Sequence, residues 1–180
     1  MQADIVQILK EKITKAGIWS KKISLARNEY LKVKGSTDTN LYYIEQGSLR
    51  AYIEDEDDEK IIRLGYSKNF VAALDSFISE APSDLYVQAI KKCELYVLPK
   101  KAFMEFIHND VSLTSLWNEI LGLLIYQSLE REKDILISSP RARYDRVFKR
   151  SPHLFQEIPN KYIASYLRMT PETLSRIKKS

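Results

Sequence analysis

The sequence predicts an α+β chain: an N-terminal helix, a sandwich or barrel of short strands, one long helix, and two short helices at the C-terminal end. Three observations carry this. Short aromatic and apolar runs separated by turn residues recur over residues 23–98, the texture of many closely spaced strands. Residues 111–137 contain no proline and one glycine, with apolar residues at helical steps throughout. Thr170-Pro171 marks a helix start late in the chain, a hydroxyl cap followed by proline at the first helical position.

The elements follow in order. In residues 1–18, Ile5, Ile8, Leu9 and Ile13 recur at helical spacing and Gly17 is a stop. Leu41-Tyr42-Tyr43-Ile44 reads as a strand, Glu45-Gln46-Gly47-Ser48 as a turn, and residues 49–53 as the returning strand. Six acids, residues 54–59, come next, before a strand over 61–66. Their mutual repulsion predicts an exposed hairpin tip rather than a metal site. Further strands are expected at 85–90 and 94–98, then a short helix over 101–108.

Along residues 111–137, Leu113, Leu116, Ile120, Leu123 and Gln127 step by three and four, the first four apolar. That is a seam for a partner helix, Leu124, Ile125 and Leu129 widen it, and a symmetric dimer is the default partner. Packing of the same helix on its own strand domain accounts for part of this surface and stays open. Ser138-Ser139-Pro140 breaks the helix. The chain thus divides into a strand domain at 1–110, a dimerisation helix at 111–138 and a C-terminal unit at 139–180. In that unit Tyr144, Val147 and Phe148 share one helical face, and Ser151-Pro152 ends it.

Ile163 and Leu167 then share a face of one short helix, Leu174 and Ile177 of the next, and Ala164 is small where the two would cross. Behind the Thr170 cap stand Glu172, Thr173, Ser175, Arg176, Lys178 and Lys179, all able to meet bases or phosphates. This is the pattern of a helix-turn-helix whose second helix enters a DNA major groove. The plainer reading is a helical hairpin with a solvated basic face. Charge favours the first. Residues 141–180 hold ten Lys/Arg and three acids, a net +7, while residues 1–140 carry −3. A basic end on a mildly acidic body suits binding to a polyanion.

Composition excludes other classes. Cys93 is the single cysteine, so an internal disulfide or a multi-thiolate metal or iron–sulfur site is ruled out, and Cys93 itself reads as a small buried hydrophobe. His108 and His153 fall in different units, and the chain has neither a Gly-x-Ser-x-Gly motif nor a glycine-rich phosphate loop. An enzyme is therefore not expected. No run reaches membrane-span length and no signal-peptide pattern opens the chain, so a cytoplasmic location is expected.

Leu41-Tyr42-Tyr43-Ile44-Glu45-Gln46-Gly47-Ser48-Leu49 closely resembles the strand–turn–strand signature of the cyclic-nucleotide-binding domain. Residues 158–179 resemble the DNA-binding unit of the Crp–Fnr transcription regulators. The resemblance covers essentially the whole chain. It implies an N-terminal cyclic-nucleotide-binding-type β-roll, a long dimerisation helix, and a helix-turn-helix without an evident wing. It also implies a homodimeric regulator whose partners are double-stranded DNA, a second copy, RNA polymerase and an unknown small-molecule effector. No cofactor is implied.

Residue by residue, the family's phosphate-binding cassette falls on Ala72 and Ala73, where a Gly-Glu pair stands, and on Ser83 and Asp84, where an Arg-Ser/Thr pair stands. A cyclic phosphate needs a cation and the ribose hydroxyl a carboxylate. This cassette lacks both and sets Asp84 beside the expected phosphate, so cyclic AMP is not expected to bind in the usual way. In the C-terminal unit, Glu172 and Arg176 match positions that read bases, a carboxylate accepting from cytosine and an arginine bidentate to guanine. Thr170, Thr173, Lys178 and Lys179 are phosphate candidates. Pro171 stands where the family usually has arginine. Arg168 takes the place of a turn glycine, at about 1 kcal/mol if its φ is positive. The alternative is a degenerate sensory or interaction module without specific DNA binding.

Overall fold

The computed structural model describes residues 2–56 and 58–179. Met1, Ser180 and Asp57, which belongs to the acidic run, lie outside the described residues. The first helix, α1 (Gln2–Ala16), ends where Gly17 turns to φ 67°. Ile5, Leu9 and Ile13 are buried, while Ile8 points outward. Three of the four predicted apolar positions thus form the inner face.

Eight strands follow: β1 (Lys21–Leu25), β2 (Tyr30–Lys32), β3 (Asn40–Gln46), β4 (Ser48–Asp55), β5 (Asp58–Tyr66), β6 (Phe70–Val71), β7 (Tyr86–Ala89) and β8 (Cys93–Pro99). They make two four-stranded antiparallel sheets, β1-β8-β3-β6 and β2-β7-β4-β5. Their facing sides enclose a core that includes Leu25, Tyr42, Ile44, Leu49, Val87 and Leu95. The β3–β4 turn admits only glycine. Gly47 has φ 99°, and a Cβ there would lie 2.2 Å from the Lys92 carbonyl oxygen. Cys93 is fully buried beneath this turn, and burial pushes its thiol up to about 11, consistent with a packing role.

The acidic run is not simply a tip. Glu54 pairs with Glu59, and Asp55 with Asp58, as rungs of the β4–β5 ladder. Asp58 is bonded by Lys60, and Glu59 by Arg50. Counter-charges on the strands relieve part of the repulsion, and the described residues of the run stay exposed at the end of the β4–β5 hairpin, as the expected tip requires.

A short helix α2 (Leu74–Ser79) lies between β6 and β7. After β8 come α3 (Lys100–His108) and α4 (Val111–Leu136). The Asp110 carboxylate caps α4 by accepting from the Ser112 amide at 2.7 Å. The predicted seam on α4 needs correction. Leu113 and Ile120, each 7% exposed, pack inward with Leu9, Phe77, Phe103 and Ile107. Leu116 and Leu123 lean on the same cluster, and Gln127 is half-buried. Most of this stripe serves the chain's own domain. The face left open is one helical step away: Ser115, Asn118, Gly122, Ile125, Leu129 and Leu136 are all exposed.

The C-terminal unit consists of α5 (Pro140–Arg150), α6 (Leu154–Glu157), α7 (Asn160–Tyr166) and α8 (Pro171–Lys179). It is docked, not tethered. Ile158, Tyr162, Ile163 and Tyr166 share one buried cluster with Tyr52, Ile61 and Ile90 of the strand domain. No helix among the described residues is long and apolar enough to cross a membrane.

Candidate functional site

The helix pair α7–α8 is held by its turn. Leu167 closes α7, and Arg168 takes the left-handed conformation, φ 54°. The Arg168 amide donates to the Ser165 carbonyl, and the Met169 amide to the Ala164 carbonyl, each at 3.0 Å. This double closure satisfies the helix end. Arg168 therefore adopts the glycine-favouring conformation that its position implied. Ala164 is fully buried, as its small size at the crossing implied.

Thr170 caps α8. Its hydroxyl accepts from the Thr173 amide at 3.2 Å and bonds the Thr173 hydroxyl at 3.1 Å. Leu174 is fully buried, which turns the opposite face outward. Glu172, Ser175, Arg176 and Lys179 are exposed there, while Lys178, one turn after Leu174, is exposed at the edge of the inner face. The Glu172 carboxyl is held below its ordinary value by its own backbone amide and by the Thr170 hydroxyl. It is a carboxylate, and hence an acceptor, at neutral pH. Lys178 donates to the Asn160 side-chain oxygen at 3.1 Å. Lys178 and Thr173 are thus engaged with their neighbours, while Arg176 and Lys179 stand outward.

Sequence reasoning missed the side chains that set this unit in place. Arg143 of α5, 8% exposed, binds four carbonyl oxygens: Leu167 at 2.8 Å, Arg168 at 2.9 Å, Ile137 at 2.6 Å and Ser138 at 3.0 Å. It joins the end of α4 to the α7–α8 turn. Asp134 of α4, fully buried, is bonded by Arg146 and Arg150 of α5, and Arg146 also reaches Glu130 at 2.9 Å. Three of the ten basic residues are therefore spent inside the fold. The net +7 overstates the charge available to a polyanion.

In the candidate effector region, Ala73 is buried and immediately precedes α2, and Ala72 is half-buried. Ser83 is buried, its hydroxyl accepting from the Leu85 amide at 3.0 Å and its carbonyl from the Gly35 amide at 2.8 Å. Asp84 is exposed. A cation does reach this place, from β2, which lies outside the cassette segment. Lys32 of β2, 4% exposed, donates to the Leu85 carbonyl at 3.0 Å, the Val33 carbonyl at 3.2 Å and the Ser83 carbonyl at 3.4 Å. Its position beside a β2 irregularity is the local signal: Tyr30 pairs with Gln88, and Lys32 already with Val87. That register shift turns Lys32 toward the interior.

Residues 22–110 match the family model of the cyclic nucleotide-binding domain. No curated protein matches the chain. Among solved structures, FixK2 from Bradyrhizobium japonicum superposes with a TM-score of 0.71 at 16% identity, covering 88% of this chain and 82% of its own. A CooA mutant from Carboxydothermus hydrogenoformans gives 0.69 at 16% identity, covering 96% and 77%. The c-di-GMP responsive global regulator CLP of Xanthomonas campestris gives 0.64 at 17% identity, covering 94% and 90%. Residues 22–110 are thus similar to the cyclic nucleotide-binding domain family, and the chain has the fold of the Crp–Fnr regulators.

Proposed function

We propose that the chain is a homodimeric DNA-binding transcription regulator whose strand domain senses an effector other than cyclic AMP bound in the usual way. One observation carries the DNA reading. The outer face of α8 offers Glu172, Ser175, Arg176 and Lys179 to solvent, while its inner face is fixed by Leu174. A capped helix with acceptor, hydroxyl and guanidinium groups on one free face fits base and phosphate contacts in a major groove. The likeness to CLP, a regulator of gene expression responsive to c-di-GMP, is consistent with this division of labour. The effector side rests on Ala72 and Ala73, which supply no carboxylate, and on Ser83, which supplies no cation.

The dimer reading rests on the open face of α4. Ser115, Asn118, Gly122, Ile125, Leu129 and Leu136 step by three and four with one step of seven, and all are exposed. Nothing lies within 4 Å of where a Gly122 Cβ would be. Small residues let two helices approach closely, and the three apolar ones supply the buried area. A second copy meeting this stripe across a two-fold axis sets two α8 helices for successive grooves.

A gel-shift titration with genomic fragments over a range of salt concentrations tests the proposal. A preferred fragment is expected, and Arg176→Ala should lower that preference by about 1–3 kcal/mol while leaving dimerisation intact. Binding that depends steeply on salt and favours no fragment would mean a module without specific DNA recognition.

A further inference from the structure

Arg131 lies on α4 where the strand domain, the long helix and the C-terminal unit meet. Its guanidinium stacks over the Tyr166 ring, 3.8 Å from the centroid. Nη2 makes a long contact, 3.5 Å, to the Ile61 carbonyl oxygen. Nη1 is buried without a hydrogen-bond partner among the described residues. A charged donor left unpaired away from water is costly, and such a group calls for a physical explanation.

Two further arginines act on it, and each comes from a different unit. Arg63 of β5 donates to the Ser128 hydroxyl of α4 at 2.5 Å. Arg168 is the exposed left-handed residue of the α7–α8 turn. Burial chiefly, and then the positive charges of Arg168 and Arg63, depress the Arg131 guanidinium, while Tyr166 and the Asp134 carboxylate act the other way. Asp134 is already bonded by Arg146 and Arg150. The junction therefore holds positive charge in excess, with one donor unused.

We propose that this junction is a binding site for the phosphate or carboxylate group of a small anionic molecule, held by Arg131 together with Arg63 and Arg168. Arg63 is partly exposed and Arg168 exposed, so both are open to an anion from solvent, which would also take up the free donor of Arg131. Planar guanidinium forks suit both oxyanions. Because the three arginines belong to the strand domain, the long helix and the helix-turn-helix, an anion that neutralises them ties the three together. That it is the regulator's effector rests on the function proposed above.

Titration calorimetry of the full chain with inorganic pyrophosphate, and separately with citrate, at constant ionic strength tests this. Saturable binding is expected for at least one of them. Pyrophosphate alone assigns a phosphate group, citrate alone a carboxylate, and both assign the shared oxyanion chemistry. Arg131→Met and Arg63→Gln should each weaken binding about tenfold or more. Arg176→Ala, on the outer face of α8, should leave it unchanged. Arg131→Lys keeps the charge without the fork and should weaken binding as well, which covers a failure of Arg131→Met to fold. No saturable binding to the native chain, or a loss that follows Arg176 rather than Arg131, overturns the site. Anion binding without any preferred DNA fragment would leave the site standing and remove the regulator reading. A preferred fragment without anion binding would do the reverse.

Discussion

Arg143 is read from the sequence as one of ten basic charges, yet it is a structural bolt. Among the described residues its charge is matched by no carboxylate; four backbone carbonyls share it. Replacing it leaves those oxygens unpaired in a buried place. Arg143→Ala should destabilise the chain by about 3 kcal/mol in chemical denaturation, and Arg143→Lys should recover little, since an ammonium cannot span the four acceptors. No pattern separates Arg143 from Arg141 or Arg176, because burial of a long cation depends on which carbonyls the fold brings to it. Glu59 carries a pH dependence of known sign. The Arg50 guanidinium bonds its carboxylate and holds the carboxyl below the ordinary value. A depressed folded pKa stabilises above the unfolded value, about 4.3, and that stabilisation is lost as pH falls through the folded one. The melting temperature of Glu59→Gln should therefore lie below that of the native chain at pH 6, and the gap should close toward about pH 3.

At the scale of elements, the strands and helices were largely legible. Period-two texture, Gly47 at its turn and the Thr170-Pro171 start all name backbone demands that local sequence must meet. The phase of α4 was not. Two stripes on that helix are spaced by three and four, and spacing alone does not say which one faces inward. The inner stripe was chosen by α1, α2 and α3, which bury Leu113 and Ile120 with Leu9, Phe77 and Phe103. The two stripes make opposite predictions. Leu129→Glu should convert the proposed dimer to a folded monomer in sedimentation equilibrium. Ile120→Glu should instead unfold the strand domain, since it puts a charge into a closed apolar cluster. A dimer that survives Leu129→Glu would move the interface elsewhere.

For the whole molecule, the order of units was legible, but their docking was not. Tyr52 and Ile61 alternate on their strands as ordinary outward residues, and only the assembled fold shows Tyr162, Ile163 and Tyr166 covering them. Because one cluster spans both units, they should melt together. Ile163→Ala should cost about 2–5 kcal/mol and lower a single calorimetric transition. Two separate transitions in the native chain would show that this contact is too weak to couple them. The candidate effector region was half legible. The missing cassette groups could be read residue by residue, whereas Lys32 reached the place through a register shift, and the separately proposed anion site draws on Arg63, Arg131 and Arg168 from three distant stretches.

The gap between α4 and α5 is written as a break, Ser138-Ser139-Pro140. Mechanically it is a gusset. Arg143 grips the carbonyls of Ile137 and Ser138 from one side, while Asp134 and Glu130 are gripped by Arg146 and Arg150 from the other. A torque applied to α8 therefore passes through the corner into the whole length of α4. Any swing of the C-terminal unit has its pivot among the contacts between α4 and the sheets, where Arg63 meets Ser128 and Arg131 reaches the Ile61 carbonyl.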